Sequence, residues 1–110
     1  MTNTTTVSNP AVHAKIDGIL AQNKVVLFMK GSPQFPQCGF SARATAILQE
    51  LGTPFHSIDV LADPEIRQGI KEYGNWPTVP QLYINKELVG GSDIMMEMYE
   101  SGELKEMLAK

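Results

Sequence analysis

Residues 24–41, KVVLFMKGSPQFPQCGFS, join an apolar segment to the only cysteine of the chain, and they carry the strongest indication of the fold. Its first part is apolar without alternation, which is typical of a central strand covered on both faces. Residues 31–37 contain one glycine and two prolines and predict a loop. Apolar side chains then recur at helical intervals, at Phe40, Ala44, Ile47, Leu48 and Leu51. Because Pro36 disfavours helix for the residue before it, we expect a helix that starts within the next residues, with Cys38 in its first turn.

The remaining pattern extends this unit to an α/β domain at residues 9–110, preceded by a flexible polar tail at residues 1–8. The predicted order is α-β-α-β-α-β-β-α-α, with helices at 10–21, 38–51, 64–73, 92–100 and 101–108 and strands at 24–30, 55–60, 81–84 and 87–89. A βαβ crossover requires a parallel strand pair, and a hairpin at 85–86 adds antiparallel strands. The expected architecture is therefore a four-stranded mixed sheet with helices on both faces.

Composition excludes several classes of function. The chain has 110 residues and a net charge of −3, which argues against nucleic acid as a partner because such binding needs a concentrated basic surface. No apolar run approaches the length of a membrane span, so we expect no membrane association. The N-terminal segment lacks the apolar core of a signal peptide. A single cysteine without an export signal indicates a reducing compartment, and we expect the cytoplasm.

Cys38 is the candidate reactive group. One sulfur cannot close an internal disulfide, so a functional thiol needs a partner from a second chain or from a small-molecule thiol. A helix start favours thiolate over thiol, and Lys30 at the strand end adds a positive charge, so we expect a lowered thiol pKa. The alternative is a free cysteine that packs as a small hydrophobic residue.

Four segments resemble the signature segments of monothiol glutaredoxins of the CGFS type, in the same order and at compatible spacing over residues 10–108. They are Lys30-Gly31-Ser32-Pro33, Cys38-Gly39-Phe40-Ser41, Trp76-Pro77-Thr78-Val79-Pro80 and Gly90-Gly91-Ser92-Asp93. The resemblance implies a thioredoxin-like fold of the glutaredoxin type and glutathione bound beside Cys38. Glutathione carries two carboxylates and one ammonium, so its site needs two anion-binding features and one acceptor.

The resemblance also implies which residues bind glutathione. Lys30 and Arg67 would pair with the glycine-end carboxylate, although Lys30 could be a solvated strand end and Arg67 plain surface charge. Residues Thr78, Val79 and Pro80 resemble the cis-proline loop of the family, in which the backbone at Val79 would pair with the extended tripeptide like an added strand.

The second carboxylate and the ammonium would lie at a helix start. Ser92 and Asp93 would offer backbone N–H groups to the γ-glutamyl carboxylate. The Asp93 carboxylate could accept from the γ-glutamyl ammonium, or could only cap its helix.

Two mechanisms can use one thiol with bound glutathione, and the residues alone do not choose between them. Cys38 thiolate could attack a glutathionylated protein, with a second glutathione completing the exchange. It could instead ligate a [2Fe-2S] cluster, whose four thiolates would come from two chains and two glutathiones.

The resemblance favours the cluster carrier, as a cluster-bridged homodimer with weak oxidoreductase activity. It also implies BolA-like partners and apo iron-sulfur proteins as recipients. A thioredoxin-like adaptor that does not use Cys38 is the third possibility.

Overall fold

The computed structural model describes residues 9–110, so the predicted flexible tail at residues 1–8 lies outside the described residues. The predicted order of helices and strands is confirmed. The helices are α1 (Pro10–Gln22), α2 (Gly39–Glu50), α3 (Pro64–Tyr73), α4 (Ser92–Ser101) and α5 (Glu103–Ala109). The strands are β1 (Val25–Met29), β2 (His56–Asp59), β3 (Gln81–Ile84) and β4 (Glu87–Gly90). None of these helices is long and apolar enough to cross a membrane.

Local signals explain where several elements begin. Asn9 caps α1 by accepting a hydrogen bond from the Ala11 N–H at 2.9 Å, and Pro10 occupies the first helical position, where its missing N–H costs nothing. Asp63 caps α3 in the same way and is also followed by proline. The β3–β4 hairpin turns through Asn85 and Lys86, both at positive φ (51° and 72°), as a two-residue turn between twisted strands requires.

The sheet has the strand order β2-β1-β3-β4, with β1 parallel to β2 and antiparallel to β3. Two apolar clusters cover its two faces. Val26 and Phe28 of β1 pack with α1 and α3, whereas Val25, Leu27 and Met29 pack with α2, α4 and α5. All five residues of β1 are buried, which explains why this strand is apolar without alternation.

Because of the strand directions, several loops meet at one end of the sheet. β1 and β2 are parallel, so the chain leaves both strands at this end. β3 begins at the same end because Gln81 pairs with Phe28 in the antiparallel register. β4 returns to it because Gly90 lies opposite Leu82. The segments that precede α2, α3, β3 and α4 therefore converge at the carboxyl end of β1, where open α/β sheets bind ligands.

Candidate functional site

Cys38 is the N-cap of α2 and does not lie in its first turn, which corrects the expected helix start by one residue. Its backbone is extended (φ −155°, ψ 157°), and its Sγ accepts a hydrogen bond from the Ser41 N–H at 3.3 Å. An N-cap side chain can reach the third N–H of the helix only from such an extended conformation. The sulfur therefore takes the position that a serine or aspartate oxygen usually occupies, at the positive end of the helix dipole.

Ser41 connects the thiol to the end of β1. Its fully buried hydroxyl oxygen accepts from the Lys30 N–H at 3.0 Å and lies 3.4 Å from Cys38 Sγ. With the Lys30 N–H bound to the oxygen, the hydroxyl hydrogen is free to point at the sulfur once the thiol has ionised. The Ser41 side chain thus both orients the sulfur and stabilises its charged form.

The surroundings of Cys38 favour the thiolate. Partial burial tends to raise the pKa of the thiol, but donors around the sulfur outweigh it. These are the Ser41 hydroxyl and the backbone N–H groups of Ser41 and Phe40, and the Lys30 ammonium adds a favourable charge. The pKa of Cys38 is therefore lowered from the ordinary value of a thiol, as predicted.

The loop between β1 and Cys38 is a tight structure that only glycine permits at its start. Gly31 has φ +88°, and a Cβ there would lie 2.5 Å from the carbonyl oxygen of Phe35 and 2.7 Å from the backbone nitrogen of Gln37. The Asp59 carboxylate accepts from the Gly31 N–H at 2.9 Å, and so ties the loop to the end of β2. These contacts hold the segment that leads into Cys38.

We predict that Ser41→Ala raises the pH at which Cys38 becomes reactive. Alkylation by iodoacetamide requires the thiolate, so a lowered pKa makes the rate rise at a lower pH than for an ordinary thiol. Removing the hydroxyl donor destabilises the thiolate, and the midpoint of the rate profile should move to higher pH. The measurement is the alkylation rate, followed by mass spectrometry, across the titration of the thiol.

Thr45→Val is the matched control for this prediction. Thr45 is buried in the same helix, but its hydroxyl donates to the carbonyls of Ser41 and Ala42 and not to the sulfur. Its variant should keep the midpoint of the parent. A Ser41→Ala profile that superimposes on the parent profile would contradict the proposed contribution of the hydroxyl.

A groove of about 510 Å³ lies at the end of the sheet where β1 leads into the Cys38 loop. Seven of the eight predicted site residues line it, namely Lys30, Arg67, Thr78, Val79, Pro80, Ser92 and Asp93. Cys38 does not line the groove itself but borders it through Lys30 and Phe40, which do. The structure thus brings the predicted residues to one place, while their binding roles remain predictions.

Val79 lines the groove, and its backbone has no partner among the described residues. The whole residue is 7% exposed, its side chain packs in the core, and the Val79–Pro80 peptide is cis, as the resemblance implies. Within residues 9–110, no protein group hydrogen-bonds its N–H or its C=O. An extended peptide could therefore pair with this backbone as an added strand.

The N-terminus of α4 forms another wall. Gly91 is its N-cap and provides no side-chain cap, so the first N–H groups of the helix, including those of Ser92 and Asp93, are available to an anion. The Asp93 carboxylate does not cap the helix. It lies 3.7 Å from an Arg43 guanidinium nitrogen, and both side chains are largely exposed, so this ion pair is weak.

Three cations face the groove from the other side. Arg67 and Lys71, four residues apart on α3, lie on the same helical face, and Lys30 lies at the end of β1. Lys71 was not among the predicted site residues, although its helical spacing from Arg67 could have indicated it. Trp76 and Phe40 also line the groove, as an apolar surface beside the charges.

In the described part of the chain, no cluster of three or more His, Cys, Asp or Glu side chains could hold a metal ion.

Comparisons with known proteins agree with this geometry. The sequence profile of the glutaredoxin family matches residues 25–89. An uncharacterized monothiol glutaredoxin of Synechocystis is 62% identical over 100 residues, which cover 91% of this chain and 94% of that protein. A probable monothiol glutaredoxin of Rickettsia conorii is 56% identical over 93 residues, with 84% and 87% covered. The solution structure of reduced apo GrxS14 from poplar superimposes with a TM-score of 0.81 at 50% identity, covering 92% and 93% of the two chains.

The mixed sheet with a cysteine at the start of α2 and a cis-proline before β3 defines a thioredoxin-like α/β protein. Within that class, this chain belongs to the glutaredoxin family, as a monothiol glutaredoxin.

Proposed function

We propose that this monothiol glutaredoxin binds glutathione in the groove beside Cys38 and shares a [2Fe-2S] cluster across a homodimer. It would act in the storage, transfer and assembly of iron-sulfur clusters. The observation that carries the proposal is a single thiol of lowered pKa at the border of a groove with cations on one side and a helix N-terminus on the other.

The groove matches the charges of glutathione. Lys30 and Arg67 would bind the glycine-end carboxylate, and Lys71 could add a third cation on the same side. The unpaired backbone of Val79 would bind the extended middle of the tripeptide. In this direction, the γ-glutamyl end would lie at α4.

At that end, the free N–H groups at Ser92 and Asp93 would bind the γ-glutamyl carboxylate. The ammonium would lie beside the Asp93 carboxylate, which Arg43 holds only weakly and at the surface. The glutathione thiol would then point toward Cys38, because the cysteine lies next to Lys30 at the border of the groove.

Ligand counting then leads to a shared cluster. A [2Fe-2S] cluster is held by four ligands, usually thiolates. One chain supplies Cys38 and one bound glutathione, so two chains related by a two-fold axis complete the set. The exposed side chains of Phe35 (74%) and Phe40 (58%) on either side of Cys38 leave apolar surface for a second chain to cover.

The same site supports a second candidate function, glutathione-dependent thiol-disulfide exchange. Cys38 thiolate would attack the glutathione sulfur of a glutathionylated protein, and the protein thiolate would leave. A second glutathione thiolate would attack the Cys38–glutathione disulfide, release oxidised glutathione and regenerate the Cys38 thiolate. The lowered pKa of Cys38 favours this chemistry, which needs no second protein cysteine.

BolA-like proteins and apo iron-sulfur proteins are the partners we propose for the carrier, and the cytoplasm is the compartment we propose for it. A BolA-like partner would replace one chain of the homodimer at the cluster. Apo-proteins would receive the cluster when their own ligands displace the glutathione thiolates.

We predict that anaerobic reconstitution with ferrous iron, sulfide and glutathione yields a coloured dimer with about two irons per two chains. Visible absorption and light scattering measure the cluster and the mass together. Omission of glutathione should leave a colourless monomer. A monomer that stays colourless with glutathione, yet still exchanges it with mixed disulfides, would refute the carrier and favour the oxidoreductase.

A further inference from the structure

The first residue of β3 carries a buried amide that the site described so far does not use. Gln81 is 0% exposed, and a polar group so buried costs free energy unless all its partners are present. Its Nε2 donates to the carbonyls of Trp76 at 3.1 Å and Thr78 at 3.2 Å. Its Oε1 accepts from the Tyr83 hydroxyl at 3.0 Å. The amide is therefore satisfied at both ends.

These bonds fasten an irregular loop to the sheet. Residues 76–80 belong to no helix or strand. Apart from the bonds to Gln81, their one hydrogen bond to the rest of residues 9–110 is from the Trp76 N–H to the Lys71 carbonyl, at 3.0 Å. Gln81 itself is held by the sheet, opposite Phe28 of the central strand. The Gln81 side chain thus positions the loop relative to β1, on whose end the Cys38 loop is built.

The partners of the amide fix its orientation. A flipped amide would set its oxygen against the carbonyl oxygens of Trp76 and Thr78, so the NH₂ group faces the loop. Burial raises the pKa of Tyr83, so its hydroxyl stays protonated and can donate to the amide oxygen. The end of α3 lies close to both side chains, because a Cβ on Gly74 would overlap the Tyr83 hydroxyl and come within 3.0 Å of Gln81 Oε1.

We propose that Gln81 is a positioning residue for glutathione: it holds the unpaired backbone of Val79 in place to pair with the tripeptide. The two carbonyls that Gln81 binds belong to Trp76 and Thr78, and Thr78 directly precedes Val79. The inference rests on the proposed binding of glutathione in the groove. Gln81 has no access to the groove and acts only through the loop.

The test uses Gln81→Met, which keeps the length of the side chain and removes every hydrogen bond. Affinity for reduced glutathione, measured by calorimetry, should fall roughly tenfold. The reason is that the two hydrogen bonds from Gln81 no longer hold the loop that carries Val79. Trp76 is the only tryptophan, so its fluorescence should shift and report the moved loop. The alkylation pH profile of Cys38 should not change, because its donors are Ser41 and Phe40. Gln49→Met, at an exposed position of α2, is the matched control and should behave like the parent.

A second variant gives a readout that packing alone would not produce. In Gln81→Glu, the protonated carboxyl can donate one hydrogen bond to the loop, whereas the ionised carboxylate can donate none and faces two carbonyl oxygens. Burial should raise the pKa of the introduced group, so glutathione affinity should fall with rising pH through that pKa. The parent should show no such fall in the same window. If Gln81→Met does not fold, this pH dependence decides the question.

The outcomes separate the two proposals. A parent protein that does not bind glutathione refutes the proposed function, and with it the role of Gln81. A parent that binds, with Gln81→Met equal in affinity or Gln81→Glu showing no more pH dependence than the parent, refutes the role of Gln81 and leaves glutathione binding standing.

Discussion

Replacement of Cys38 by serine is expected to abolish both cluster binding and glutathione exchange. Serine has the same shape, but its hydroxyl does not ionise at neutral pH and does not ligate iron as a thiolate does. The chain contains no other cysteine to take over the role. The loss should therefore be complete in reconstitution and in exchange with glutathionylated thiols.

The same substitution should leave the fold intact. Cys38 is the N-cap of α2, and serine is among the preferred N-cap residues because its oxygen accepts from the third helical N–H. Cys38→Ala should lose cluster binding and glutathione exchange equally, but it should also lose the helix cap. Its free energy of unfolding should therefore be about 0.5–2 kcal/mol lower than that of Cys38→Ser. Thermal unfolding by circular dichroism compares the two variants.

This pair of variants separates ligation from stability. If Cys38→Ser and Cys38→Ala both fail to bind the cluster, although only one is destabilised, the defect lies in the missing thiolate. Stoichiometric [2Fe-2S] on the serine variant would refute the assignment of Cys38 as the ligand. Retained function without Cys38 would favour the adaptor.

Lys30→Ala is expected to weaken glutathione binding by about 1–3 kcal/mol, the range for a charge-assisted hydrogen bond. The half-buried side chain lines the groove at the end of β1 and would pair with the glycine-end carboxylate. S-methylglutathione is the suitable ligand for calorimetry, because it keeps both carboxylates and cannot exchange with Cys38. The measured quantity is then binding alone.

The control for Lys30→Ala is Lys105→Ala, which removes the same charge from the exposed side of α5, away from the groove. It should leave the affinity at the parent value. If Lys30→Ala binds glutathione as tightly as this control does, Lys30 does not contribute to the binding site. A higher salt concentration should reduce the difference in affinity between the parent and Lys30→Ala, because salt screens a partly exposed ion pair.

The sequence alone was sufficient to predict most of the fold. Asn9-Pro10 and Asp63-Pro64 mark helix starts, Asn85 and Lys86 mark a two-residue turn, and the apolar run before Lys30 marks the central strand. Each of these signals acts within a few residues along the chain, through a cap, a fixed φ or the period of a helix. Local chemistry was therefore enough for the order of elements and for the four-stranded mixed sheet.

The candidate site was predictable only in part. The local pattern indicated Cys38, and the family resemblance indicated the seven residues that line one groove. The pattern placed Cys38 inside the helix, whereas the sulfur caps the helix from an extended residue. It also gave no sign that Arg43 would pair with Asp93, because the two residues lie on different helices, 50 positions apart.

The assembly of the groove and the contacts that hold it follow from the tertiary structure and could not be predicted from the sequence. Lys71 and Trp76 reach it because α3 and the loop before β3 meet the end of β1, a consequence of strand order and direction. Gln81 looks in the sequence like any polar residue at a strand start, yet it is fully buried and fastens the loop that carries Val79. Caps, turns and periods depend on neighbours along the chain. Burial and side-chain partners depend on elements far apart in sequence, so they appear only once the sheet has brought those elements together.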